Sequence, residues 1–139
     1  MKLTQAQLLE IAHRHAQAEA ACDVAAIMRT LEPSPVYEFQ PLGRGFSGAE
    51  MTRRWYQTFV LEFMPRVGGF SLRGEWLGDS GLVQEYQVAV RGDDGRLRDY
   101  PVLGILLFGE LALRGERIYA SEELVRLMAG SIWSQLRRC

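Results

Sequence analysis

The sequence predicts an α+β fold: a curved antiparallel sheet with helices packed on its concave face. Two changes of pattern predict it. Apolar residues recur at three- and four-residue steps through the first part of the chain and again at its end, the spacing of helices with one buried face. From about residue 70 to residue 119 the pattern switches to period two, broken by glycine-bearing turns, as in an antiparallel meander. A curved sheet covered by amphipathic helices tends to leave a pocket between the two layers.

Each element has its own signal. Thr4 and Gln7 fit a capping box that opens a helix running to about Ala21. Leu8, Ile11, Ala12, His15, Ala18, Glu19 and Cys22 share its inner stripe, which makes Cys22 a small buried hydrophobe. Asp23 caps a short second helix with Val24, Ile27, Met28 and Leu31 as its stripe, ended by Pro33 and Pro35. Residues 36–39 alternate as a strand, with Val36 and Glu38 on one side and Tyr37 and Phe39 on the other. After a loop over 40–46, Ser47 and Glu50 form a second capping box for a helix carrying Met51, Trp55, Phe59 and Phe63. Strands follow over 70–77, 82–91, 96–109 and 111–119, with the sharpest hairpin signal at Gly92-Asp93-Asp94-Gly95. A last amphipathic helix is expected over about 122–136.

Composition narrows the function. A chain of 139 residues with 47% hydrophobic content reads as one domain, 1–139, with a substantial core. Sixteen Lys and Arg against seventeen Asp and Glu leave a net charge of −1, and no polybasic run occurs, so no nucleic-acid partner is expected. No apolar run is long enough to cross a bilayer and the first residues already read as helix, which points to a cytoplasmic protein with no membrane partner. Two cysteines far apart, Cys22 and Cys139, make neither a disulfide framework nor a zinc pattern. His13 and His15 leave different sides of one helix and make a poor chelate, so no metal site is expected. No phosphate-binding glycine loop or nucleophile elbow is present, and no cofactor is expected.

The candidate catalytic residues are His15 and Glu38. A histidine on an apolar stripe can move a proton near neutral pH, and a carboxylate against an apolar wall gains basicity. Glu19 lies one turn beyond His15, so the two can meet and fix the imidazole. Tyr56, Trp76 and Tyr86 are candidates to line a pocket, offering apolar area with a polar tip. Glu85 joins the substrate-binding candidates if it faces inward, where it needs a partner. Alternation instead favours an outward Glu85, because Tyr86, Val88 and Val90 form the more apolar set.

The helix ending at Ala20-Ala21-Cys22-Asp23, the segment 36–56 and the strand pair around the 92–95 hairpin together resemble a SnoaL-like member of the nuclear transport factor 2-like superfamily, over about residues 8–119. That superfamily includes ketosteroid isomerases and polyketide cyclases. Against the ketosteroid isomerase pattern, the helical tyrosine oxyanion donor is replaced by His15. The general-base aspartate is replaced by Gln40, with Glu38 two residues earlier, and the protonated aspartate by Leu103. The resemblance therefore implies a cavity with a different polar set, not a ketosteroid isomerase. It suits cofactor-free isomerase, cyclase or hydratase chemistry on a small, lipophilic, oxygenated molecule, in a chain that forms a homodimer through its sheet. The alternatives are a non-catalytic carrier or sensor of a lipophilic ligand, and a dimeric scaffold module.

Overall fold

The computed structural model describes residues 2–139. Helix α1 (Gln5–Ala20) opens on the expected box, with Thr4 and Gln7 each satisfying the other's backbone amide. Its buried face is Leu8, Ala12, His15 and Ala18. Cys22 departs from the expectation: it lies beyond the helix at φ 56° and is exposed, because the chain turns there to reach Asp23, whose side chain caps α2 (Val24–Arg29).

Strand β1 (Leu31–Gln40) starts earlier than its alternation suggests. Pro33 and Pro35 sit within it, in the stretch where its pairing to β6 (Leu113–Tyr119) slips between Leu31 and Val36, so their missing amides break no regular ladder. Residues 44–47, expected as loop and cap, form β2 (Arg44–Ser47), with Ser47 paired to Val36. The second capping box therefore does not form. Gly48 precedes α3 (Ala49–Thr58) with no side-chain cap, and a π-helical turn (Phe59–Phe63) and a short 3-10 turn (Met64–Arg66) continue α3 to the sheet.

Strands β3 (Val67–Leu77), β4 (Gly81–Arg91) and β5 (Leu97–Phe108) form the expected meander. The seven-stranded sheet runs β3-β4-β5-β6-β1-β2-β7, where β7 is the tail pair Arg137–Arg138. The sheet is curved, and it is mixed, since β1 runs parallel to β6 while every other neighbouring pair is antiparallel. Helix α4 (Glu122–Ala129) starts on Ser121 and stops at Gly130, φ +53°, where a 3-10 turn replaces the expected helix end. Val88, Val90, Leu82 and Leu113 from the sheet meet Ala12, Ile27, Trp55 and Leu124 from the helices in one buried core.

Two bulges decide which side chains face that core. On β3 the pairing shifts between Leu72 and Gly74, so Phe70, Leu72 and Glu75 share the concave face and Trp76 turns to the convex one. On β6, pairing shifts by one residue near Arg114, so Leu113 and Glu116, three apart, both face inward. Gly115 carries the positive φ that the kink requires, +134°, and a side chain there would collide with the Val36 backbone.

Candidate active site

A cavity of about 270 Å³ lies between the concave sheet face and the helices. Its walls are largely apolar, with Phe59, Phe63, Val88, Val102, Leu106 and Met128 among them; Glu19, Glu116, Gln84 and Tyr86 supply the polar lining. Phe70 and Leu72, 50% and 60% exposed, stand at its rim.

Behind the polar wall lies a closed hydrogen-bond network. His15 is fully buried, and its Nδ1 lies 2.7 Å from Thr30 Oγ1. Thr30 donates its single hydroxyl hydrogen to the Ile27 carbonyl at 2.6 Å, so it accepts from His15 and Nδ1 carries a proton. Nε2 then faces both acids, 3.3 Å from Glu19 and 3.3 Å from Glu116. Tyr56 donates to the same Glu116 oxygen at 2.9 Å, which leaves Tyr37 to donate to Tyr56 at 2.6 Å. The result is a directed chain, Tyr37 to Tyr56 to Glu116, joined at Glu116 by His15.

Charge sets the protonation of this cluster. One donor atom from each of His15, Glu19 and Glu116 lies within 4.8 Å of the others, and two ionised carboxylates at such a separation repel by roughly 3 kcal/mol at an effective dielectric of about 20. Burial and the Glu116 carboxylate push the Glu19 carboxyl up to about 8, against the opposing pull of His15 and Tyr56. The exposed quarter of the Glu19 side chain lies on the cavity wall. Burial depresses His15, but the two acids outweigh burial and hold it above its ordinary value. Tyr37 and Tyr56 are held well above the usual phenol range by burial and by the same acids. The network therefore favours a protonated carboxyl at Glu19 and biases His15 towards its imidazolium form. This is also the one His/Asp/Glu/Cys constellation among the described residues with atoms close enough to share a metal ion; its atoms are already engaged with one another.

The structure sorts the sequence candidates. Glu19 and Tyr86 line the cavity, Tyr56 joins the network one step behind, and His15 lies buried behind the two acids. Glu38 does not face the cavity. Tyr37 and Phe39 occupy the inner side of β1, so Glu38 lies on the convex face and pairs with Arg117 at 3.2 Å, where the two strands set them opposite one another. Trp76 is likewise convex, 55% exposed, because of the β3 bulge. Glu85 is exposed on the convex face opposite Gly74, as alternation favoured. His13, off the stripe, bonds Glu75 at the surface.

Glu116, Thr30 and Tyr37 were not singled out as site residues by sequence. The available signal for Glu116 was Ile118, two residues on and apolar, which marks the inner phase of β6. Thr30 and Tyr37 carry no comparable signal, since a helix-end threonine and a buried strand tyrosine are ordinary.

No family model matches the chain, and no curated protein matches it. Solved structures do. A protein described as a SnoaL-like polyketide cyclase from Jannaschia sp. CCS1 is 14% identical with a TM-score of 0.72, covering 91% of this chain and 93% of that one. The epoxide hydrolase/cyclase-like enzyme SalBIII of pyran ring formation in salinomycin is 12% identical with a TM-score of 0.70, covering 86% and 96%. An NTF2-like protein of unknown function from Burkholderia xenovorans LB400 is 21% identical with a TM-score of 0.62, covering 82% of each. The chain thus has the nuclear transport factor 2-like fold found in SnoaL-like and ketosteroid isomerase-like proteins.

Proposed function

We propose that the cavity carries out cofactor-free acid–base chemistry, an isomerisation, cyclisation or hydration, on a small lipophilic substrate bearing a reactive oxygen. The observation that supports it is Glu19: a carboxyl held protonated to about pH 8, on the wall of an apolar cavity, with a second acid beside it. Glu19 is the general acid that protonates an epoxide or carbonyl oxygen. Glu116, also on the cavity wall, takes the proton from the attacking hydroxyl or the activated carbon. His15 touches no substrate in this scheme and acts as a positioning residue, its charge offsetting the acids. The SalBIII likeness in fold supports choosing epoxy-alcohols as the first compounds to screen.

The test is turnover of a panel of small epoxy-alcohols and enones, followed by mass spectrometry. Glu19→Gln keeps the shape of the site and should lower kcat by about 10²–10⁴ with little loss in Tm. Unchanged kcat in that variant would remove Glu19 from the chemistry. A second reading, a carrier of a lipophilic ligand, is favoured by the predominance of apolar wall; binding without turnover of any panel member would select it. We infer in addition a homodimer through the convex sheet face, where Trp76 is 55% exposed, to be tested by sedimentation of the wild type and Trp76→Glu.

A further inference from the structure

The cavity has an unusual charge inventory. Its lining includes two carboxyl side chains, Glu19 and Glu116, and no lysine or arginine among the described residues. Nothing on its wall can neutralise a ligand carboxylate or phosphate, because His15, the nearest cation, is buried behind the acids. Aromatic rings from Trp55, Phe59, Phe63, Phe70 and Tyr86 stand around the same space, and such rings favour an organic cation. Tyr86, partly buried, stands on the same wall as Glu19 and Glu116.

We propose that this cavity is a binding site for a lipophilic amine, held as its ammonium ion against Glu19 with its hydrocarbon part among the aromatic rings. The proposal rests on the reading above only in taking the same cavity as the ligand site. It does not use Glu19 as an acid: an ammonium ion keeps Glu19 ionised, so such an amine is a ligand that blocks acid catalysis, not its substrate. The groups facing Glu19 are His15 on its own helix, Glu116 on β6, Tyr56 on α3 and Tyr86 on β4, with Tyr37 behind Tyr56. Of these, Glu19 is the one that must give up a proton for an ammonium ion to bind near neutral pH. Binding an amine that is already protonated in solution should therefore release about one proton to the buffer.

The experiment is titration calorimetry of the full chain with octylamine, octanol and octanoate, near pH 7, in two buffers of different ionisation heat. Octylamine should bind at least about tenfold more tightly than octanol, and octanoate should not bind. The apparent enthalpy for octylamine should differ between buffers by an amount that gives about one proton released. Glu19→Gln should bind amine and alcohol alike. Equal affinity of wild type for amine and alcohol, binding of octanoate, or failure of octylamine to bind would each overturn the proposal. Should the variant not fold, the proton count on the wild type decides alone: no release means no charge recognition by Glu19. Neither result depends on turnover, so failure here leaves the acid–base reading to its own test.

Discussion

Thr30 decides which nitrogen of His15 meets the acids. Its hydroxyl hydrogen is committed to the Ile27 carbonyl, so the oxygen 2.7 Å from Nδ1 can only accept, and Nε2 is left to Glu19 and Glu116. The second short helix thus reaches the site through the hydrogen bond that ends it. Thr30→Val removes the acceptor and strands a buried N–H, which should cost about 1–3 kcal/mol in urea unfolding. Thr30→Ser keeps the acceptor and should recover most of that loss. Equal losses in both variants would mean that the methyl group, not the hydroxyl, matters.

Stability should fall as pH rises from about 5 to 8. Glu19 binds its proton up to about 8 when folded and to about 4.5 when unfolded, so the folded state holds the extra proton across that window. Removing it costs stability as pH rises. His15 has the same sign: its folded value is raised, so its contribution is complete below the unfolded value near 6.5 and is lost as pH climbs through the folded one. Glu75 and Asp94, both lowered, weaken the fold only on the acid side of this window. Melting temperatures across the range check this; Glu19→Gln should flatten the slope, and a wild-type Tm that rises with pH would refute the protonation scheme.

Glu38 and Glu116 make a matched pair of tests. Glu38→Gln loses one half-exposed ion pair with Arg117, worth about 0–1 kcal/mol, and should leave any pH–rate profile unchanged. Glu116→Gln removes the group on which Tyr56 and His15 converge and should lower turnover by about 10²–10⁴. A lost basic limb in the Glu38 variant would return that residue to the chemistry.

Gly104 offers a variant that changes room without changing charge. A Cβ there would meet only the edge of the Tyr86 ring, at 3.8 Å, inside the cavity. Gly104→Ala should stabilise the fold by about 0.5–1 kcal/mol, through strand propensity and a less flexible unfolded chain. The same methyl narrows the cavity, so the longest ligands should bind more weakly while Tm rises. A lower Tm would show that the strand cannot accept the methyl.

Fold class, helix faces and the meander were legible because each rests on periodicity, and the phases of α1 and β4 place His15, Glu19 and Tyr86 on their inner faces. What escaped was wherever the backbone changes phase. A bulge costs one residue and leaves no mark in composition, so Trp76, chosen as a pocket residue for its ring, turned to the convex face, and β6 offered two conflicting phases, one from Leu113 and one from Ile118. Glu38 failed for another reason. Alternation correctly separated it from Tyr37 and Phe39, and it was the aromatic side of β1 that the core took.

The kink at Gly115 gives this domain an unusual point of vulnerability. The acid beside it meets Tyr56 and His15 only because a backbone dihedral turns it inward. A single methyl at position 115 would therefore turn the interior network out of aim while leaving every acid, imidazole and phenol in the sequence. In comparing related chains, this glycine should be read together with the glutamate that follows it, because the one sets where the other points.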